Sequence, residues 1–268
     1  MVKEKLEEFY FSQSALEAFA QCRLKFKKRY LDGLYWSRKE LLPPEQLEAL
    51  EKGIAFHLLA QRYFSGLTTG VEQVRGGELE LWLRRLENLV SLNPEIRFLP
   101  EYQLKINGHS GRIVAKYDLL CLEPQGQITI YDWKTDKRPL AKEKLAKSWQ
   151  TIIYPYLIIE AGVSLTGNPI SPGQVKMVYW NPLYPENLVE FPYSQEIYQQ
   201  DKALIQGIIR EICSLEQSGF SPTSQWKICQ NCEYSYLCQK GNADYSYLLG
   251  EEGLDHEFCW KEIEEYPY

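Results

Sequence analysis

The chain has 268 residues, 44% hydrophobic and 25% charged, with a formal net charge of −6, a balance that suits a globular protein with a substantial core and excludes a low-complexity chain. Its first residues, Met1-Val-Lys-Glu-Lys-Leu-Glu-Glu8, are too charged for a signal peptide, and no apolar run approaches the roughly 20 residues of a membrane span. The expectation is a cytoplasmic protein with no membrane partner, whose seven cysteines do not form a disulfide framework.

The charge is unevenly placed. Residues 250–268 hold Glu251, Glu252, Asp255, Glu257, Glu262, Glu264 and Glu265 against a lone base, Lys261, and without this acidic tail acids and bases balance. Within the body, Arg23, Lys25, Lys27, Lys28 and Arg29 crowd one short run, and Lys134, Lys137, Arg138, Lys142, Lys144 and Lys147 another. A phosphate backbone responds to such local patches rather than to net charge, although solvated helix faces account for the same runs.

In chain order, Ser14-Ala-Leu-Glu17 is a capping-box pattern that predicts a helix with Leu16, Phe19, Ala20 and Phe26 toward the core and Cys22 on it. A linker through Gly33 and Trp36 to Pro43-Pro44 leads to a second helix, from Glu45 to about Phe64, carrying Leu47, Leu50, Ile54, Leu58 and His57. Gly53, one turn before His57, leaves room for a close neighbour. A third helical pattern spans Glu78 to Val90 on Leu79, Trp82, Leu86 and Leu89.

Glu101–Ile106 then reads as a strand with Asn107-Gly108 as a hairpin turn. The next strand carries Asp118, and Pro124 and Gly126 turn the chain into the strand that ends at Asp132 and Lys134. A helix over 140–161 places Gln150 and Tyr154 on one face. Strands at Gln174–Trp180 and Asn187–Tyr193 and a helix at Gln195–Gln217 precede Cys229, Cys232 and Cys238. The expected organisation is one α/β domain over residues 1–249, followed by the acidic tail at 250–268.

Side chains alternate along a strand, so Ile128, Ile130, Asp132 and Lys134 share a face: two apolar residues, then two charges. Asp118 is expected to bring a second carboxylate beside Asp132, and carboxylates that close are most easily kept ionised by a cation or an ammonium. Two aspartates suit Mg²⁺ or Mn²⁺, the carbonyl of Trp133 adds an oxygen, and His57 as a ligand shifts the preference toward Mn²⁺. Such a cation activates water and neutralises phosphoryl charge. With Lys134 beside it, the chemistry indicated is phosphodiester hydrolysis. Singly these signals are weak, because Asp-x-Lys is common on strands and a lone helical histidine is more often a core residue. Their order and placement carry the reading.

That order resembles the PD-(D/E)XK nuclease superfamily, in particular its RecB-type branch. Ser12-Gln-Ser14-Ala-Leu16 with Cys22 and Phe26, Gly53-Ile-Ala-Phe-His57, Asp118, Asp132-Trp-Lys134 and Gln150-x-x-x-Tyr154 carry the resemblance over about residues 10–240. Tyr117 stands where the superfamily's name has a proline, and Leu119 where a basic residue is frequent. The resemblance implies a restriction-endonuclease-like core with a mixed sheet flanked by helices, and metal-dependent cleavage of DNA. It further implies His57, Asp118 and Asp132 as ligands, Lys134 as catalytic, and Gln150 and Tyr154 as supporting or DNA-contacting residues.

Cys229-x2-Cys232-x5-Cys238 is a tight group of three thiols, and Cys22 is the candidate fourth. This spacing resembles the iron-sulfur nucleases, the AddB subunit of bacterial recombination complexes and the related CRISPR-associated exonucleases, and implies a [4Fe-4S] cluster joining the N- and C-terminal segments. Zn²⁺ is the alternative at these thiols. Cys121 and Cys213 are read as small buried hydrophobes and Cys259 as incidental to the tail. The expected function is a single-strand or end-directed DNA exonuclease in repair, recombination or CRISPR adaptation. The alternative is a non-catalytic DNA-binding or assembly module of a helicase–nuclease complex, whose helicase is a partner because the chain has no phosphate-binding loop motif.

Overall fold

The computed structural model describes residues 2–35, 42–67, 77–108, 111–230, 232–235 and 237–238. Trp36 of the linker, Cys259 and the acidic tail lie outside the described residues.

Arg97–Gly108 (β2) and Gly111–Leu122 (β3) form a long antiparallel hairpin, and Ile128–Trp133 (β4) returns antiparallel to the last residues of β3. Val175–Trp180 (β5) joins β4 in parallel, and Val189–Pro192 (β6) closes that edge. The short strand Tyr10–Phe11 (β1) pairs in parallel with Arg112 and Ile113 of β3, completing a mixed six-stranded sheet. One edge of β3 is thus covered by β2 along its length, while the other is shared: β1 takes its start and β4 its end. Asp118 lies at the junction, one step before the first β3–β4 pair, Leu119↔Tyr131.

Helices cover both faces. The larger core cluster packs Ile113, Ile128 and Ile130 under Gln13–Gln21 (α2, following Val2–Glu8, α1), Trp149–Glu160 (α7, followed by the short helix Gly162–Thr166, α8) and Gln195–Ser214 (α9). The smaller sets Leu119, Cys121, Trp133 and Trp180 against Pro44–Phe64 (α4) and Glu78–Leu89 (α5). Trp133 stacks on Phe64 at 6.3 Å and meets Trp180 edge-on at 5.9 Å, fastening the end of β4 to α4. Period-2 alternation therefore sorts β4 as expected: Ile128 and Ile130 to one layer, Trp133 to the other.

Several boundaries differ from the sequence-based expectation. The first core helix starts at Gln13, with Ser12 as its cap: the Ser12 hydroxyl accepts from Ala15 N–H, and Ser14 is buried inside the helix. Cys22 is extended, at the break between α2 and the short helix Arg23–Phe26 (α3), which runs into a π-helical turn over Lys27–Leu31. Ala18 rather than Ala20 is buried on α2, and on α4 the buried set is Leu50, Gly53, Phe56, His57, Leu59, Ala60 and Phe64, leaving Leu58 exposed. The 140–161 segment is two helices, Lys142–Leu145 (α6) and α7, because the Ser148 hydroxyl caps a fresh start by accepting from Gln150 N–H. Cys121 is buried, but Cys213 is exposed, since α9 turns Ile205, Ile209 and Ile212 inward and the next residue lies about 100° round the helix.

Candidate active site

The site forms where β4 parts from β3. One step past Leu119↔Tyr131, Asp118 and Asp132 stand in neighbouring register positions, and Asp132 itself pairs across β5 with Tyr179. The backbone N–H of Trp133, beyond the last β3–β4 pair, donates to Asp118 Oδ2 at 2.7 Å. A side-chain carboxylate thus satisfies a buried donor where the ladder stops, and holds Asp118 in place.

From the layer of α7, Gln150 reaches between acid and base. Its carbonyl accepts from Lys134 Nζ at 2.7 Å, and its amide nitrogen donates to Asp132 Oδ1 at 3.1 Å. Lys134 Nζ also lies 3.1 Å from Asp132 Oδ2. Because lysine offers only donors and an ionised aspartate only acceptors, Gln150 fits both in one orientation. Asp132, Lys134 and Gln150 are all buried. Tyr154, one turn on, has its hydroxyl 3.4 Å from the Gln150 amide, and its carbonyl accepts from the Tyr117 hydroxyl at 3.0 Å. Tyr179 floors Lys134, whose Nζ is 5.5 Å from the ring centre, and burial first, then the Asp132 charge, raises its phenol.

From the opposite layer, α4 delivers His57, with Nδ1 at 3.5 Å from Asp118 Oδ1. Gly53 makes this approach possible, because a Cβ there would sit 2.7 Å from Thr135 Oγ1 in the loop that leaves Lys134. The sequence-based site residues His57, Asp118, Asp132, Lys134, Gln150 and Tyr154 are therefore brought into one connected neighbourhood.

Glu101 joins them without having been foreseen. The pairs Pro100↔Leu119 and Tyr102↔Tyr117 bracket it, so it lies across β2–β3 from Asp118. Ligand atoms of His57, Glu101 and Asp118 all lie within 4.8 Å of one another. Lys116 pairs with the Glu101 carboxylate at 2.8 Å, while burial and then the Asp118 charge push its titration upward. A buried imidazole with two carboxylates is a donor set that fits a divalent cation of the Mn²⁺ or Mg²⁺ type.

The family model of the PD-(D/E)XK nuclease superfamily matches residues 10–103 and 72–239. The chain belongs to the PD-(D/E)XK nuclease superfamily. Members typically use Mg²⁺ or Mn²⁺, in keeping with the donor set. Among solved structures, a candidate exonuclease from Eubacterium rectale superposes with a TM-score of 0.55 at 15% identity, covering 88% of this chain and 89% of its own, a likeness of fold. The structure of SSO0001 covers 89% of this chain and 93% of its own at 16% identity, with a TM-score of 0.40. No curated protein matches the chain.

In this PD-(D/E)XK chain the described part of the C-terminal segment docks beside Cys22. Leu24 N–H donates to Ser221 O at 3.2 Å, Thr223 N–H to Cys22 Sγ at 3.4 Å, and the Tyr234 hydroxyl to Leu34 O at 2.7 Å. Lys25 and Arg29 flank Glu233 at 3.7 and 3.5 Å. Burial pushes the Cys232 thiol up to about 11, with Glu233 adding to the shift. Among the described residues, no three of Cys22, Cys229, Cys232 and Cys238 bring their sulfurs within 4.8 Å of one another. No helix among the described residues is long and apolar enough to cross a membrane.

Proposed function

We propose that this superfamily member is a metal-dependent deoxyribonuclease of the RecB-type branch, acting as an exonuclease on single strands or free ends. The observation that carries the reading is the buried Asp132–Lys134–Gln150 unit beside Asp118 at the sheet junction. His57, Asp118, Asp132 and the carbonyl of Trp133 would hold Mg²⁺ or Mn²⁺. When bound, that cation supplies positive charge to phosphoryl oxygens and acidifies a coordinated water. Hydrolysis adds water across one P–O bond, leaving a hydroxyl and a phosphomonoester end. Lys134 presents a fixed ammonium where negative charge builds up, in a site from which bulk water is largely excluded. Gln150 bonds both partners of the Asp132–Lys134 ion pair and so fixes its orientation, and Tyr154 orients Gln150 or contacts the strand. DNA is the partner this chemistry requires, and the basic run from Lys137 to Lys147 is the surface proposed to track its backbone.

The finer assignment extends to the cysteines. Cys22, Cys229, Cys232 and Cys238 are proposed as ligands of a [4Fe-4S] cluster stapling the single domain, 1–249, from end to end. The bonds of Ser221 with Leu24, of Thr223 with Cys22 and of Tyr234 with Leu34 support it. Spacing between the sulfurs bears on the choice of metal. Tetrahedral zinc with bonds of about 2.3 Å needs thiolates roughly 4 Å apart, whereas an iron–sulfide cube holds its ligands on the outside and accepts a wider set. Iron, acid-labile sulfide and zinc assayed on anaerobically purified protein decide it: one zinc without sulfide removes the cluster and the tie to iron-sulfur nucleases. Cytoplasmic work beside a helicase or CRISPR adaptation partner, in repair or recombination, completes the proposal.

The decisive experiment incubates end-labelled single-stranded and duplex DNA with the protein and Mg²⁺ or Mn²⁺. Cleavage by wild type, lost in Lys134→Ala while DNA binding persists, is the expected result. No cleavage of any substrate by wild type would instead favour a non-catalytic DNA-binding or assembly module.

A further inference from the structure

Three acidic side chains occupy one row across three adjacent strands. Glu101 on β2 faces Asp118 on β3, and Asp118 neighbours Asp132 on β4, one step past the last β3–β4 pair. Such a row is costly in a buried sheet, since like charges on adjacent strands repel. The backbone at its outer end is unusual as well. Among the described residues Glu101 is the non-glycine residue with positive φ, at 51°. The left-handed conformation is disfavoured for a residue with a side chain, and the ladder pairs Pro100↔Leu119 and Tyr102↔Tyr117 on either side of it. Asparagine or glycine would be the residues expected there if only a kink were needed.

The geometry points to Glu101 as a further cation ligand, sharing with His57 and Asp118 a subsite on the β2 side of the site proposed above. It rests on that metal-dependent reading and extends it. His57 and Asp118 already converge, and Glu101 places an oxygen within 4.8 Å of both. Its side chain is 12% exposed, and Lys116 Nζ lies 2.8 Å from its Oε2. A carboxylate has two oxygens and about four lone-pair sites, so pairing with a lysine leaves it acceptor capacity for a cation. The substrate-side consequence is that the cation has two acidic flanks: Asp132 with its lysine on one side, Glu101 with its lysine on the other. His57 supplies the nitrogen that makes Mn²⁺ the better occupant.

The test is Mn²⁺ binding to the full chain, followed by electron paramagnetic resonance of free Mn²⁺ and by calorimetry, with no DNA present. Glu101→Gln keeps shape and a Lys116 partner but weakens the oxygen as a ligand. The expected result is Mn²⁺ affinity reduced at least about tenfold, or one equivalent lost, with the circular dichroism spectrum unchanged. Lys116→Met separates ligation from pairing, since it removes the ion pair and should leave a Mn²⁺ affinity at least equal to that of wild type. Wild-type affinity and stoichiometry in Glu101→Gln would overturn the inference, as would an equal loss in Lys116→Met, which would make Glu101 a structural ion-pair partner. The nuclease reading fails separately. If wild type cleaves no DNA and Glu101→Gln still loses Mn²⁺, the ligand assignment stands and the activity does not. If wild type cleaves DNA and Glu101→Gln binds Mn²⁺ normally, only the assignment falls.

Discussion

Trp133 donates its backbone N–H to Oδ2 of Asp118 at 2.7 Å, just past the point where the β3–β4 ladder ends. An acidic side chain here does the work of a missing strand neighbour, so the same atoms that shape the candidate site also close the sheet. Removing the carboxylate and removing its charge should therefore have different consequences. Asp118→Ala leaves a buried donor unsatisfied, at a cost of about 1–3 kcal/mol, whereas Asp118→Asn retains an acceptor and relieves repulsion along the acidic row. Urea unfolding of the metal-free proteins should place Asn above Ala by that margin; equal stabilities would mean the Trp133 bond contributes nothing. Neither variant is expected to cleave DNA.

Gln150 should matter more than its neutral character suggests. Gln150→Leu strips Lys134 of an acceptor and Asp132 of a donor, both buried. The Asp132–Lys134 pair, already 3.1 Å apart, then loses the group that fixes its orientation. Single-turnover cleavage is expected to slow by about 10²-fold, the scale of a misplaced catalytic group, with DNA affinity little changed. Tyr154→Phe removes the 3.4 Å contact to the Gln150 amide and should slow it less than about tenfold. A Tyr154 effect as large as that of Gln150 would show that the hydroxyl acts on substrate directly.

Gly53→Ala isolates a close approach. Alanine is favoured over glycine in a helix interior by about 1 kcal/mol, but the new methyl would meet Thr135 Oγ1 at 2.7 Å. Thr135 is β-branched and follows Lys134, so its stiff side chain has to give way next to the lysine. The melting temperature should change little while the cleavage rate falls. A more stable protein of full activity would mean that Thr135 yields without disturbing Lys134.

A pH effect is expected away from the site. Burial raises the Asp201 carboxyl from 3.8 to about 6, and the Tyr193 hydroxyl, donating to Oδ2 at 2.9 Å, offsets part of that rise. The folded chain thus binds this proton more tightly than the unfolded chain. Its stabilising contribution is complete below about pH 4 and is lost as the pH rises through about 6, on the order of 2 kcal/mol. Asp201→Asn removes the titration while keeping an acceptor for Tyr193. Denaturation at pH 4.5 and 7.5 should show a smaller difference for the variant than for wild type, and a variant at least as stable as wild type at 7.5. Parallel curves would assign the pH dependence elsewhere.

Most of the site was legible because its signals are local. The two-residue alternation along β4 orders Ile128, Ile130, Asp132 and Lys134, and the four-residue step aligns Gln150 with Tyr154; both follow from backbone geometry that holds in any context. The errors fall where a local pattern competes with an equal alternative nearby. Ser12 and Ser14 both precede helix-forming residues, but the backbone is extended at Ser12, whose hydroxyl accepts from Ala15 N–H, while Ser14 is already inside the helix. Leu58 is as apolar as Leu59, but the helix face is chosen by Phe56, His57 and Ala60 meeting the sheet.

Glu101 was hidden by register. Taking Asn107-Gly108 as the hairpin turn would pair Ile106 with residue 109 and set Arg97 across from Asp118. The observed pairing of Gly108 with Gly111 shifts the register and brings Glu101 there instead. The amino-acid sequence by itself determined the element types, the acid–lysine pair at the end of β4, the histidine on its helix and the superfamily those motifs resemble, since each depends on residues a few positions apart. Only the tertiary structure decided which acid stands opposite Asp118, that a carboxylate substitutes for a ladder bond at Trp133, and that Cys22 meets the C-terminal segment. Those outcomes depend on how strands slide and where they separate, and that is settled by side-chain packing between distant parts of the chain.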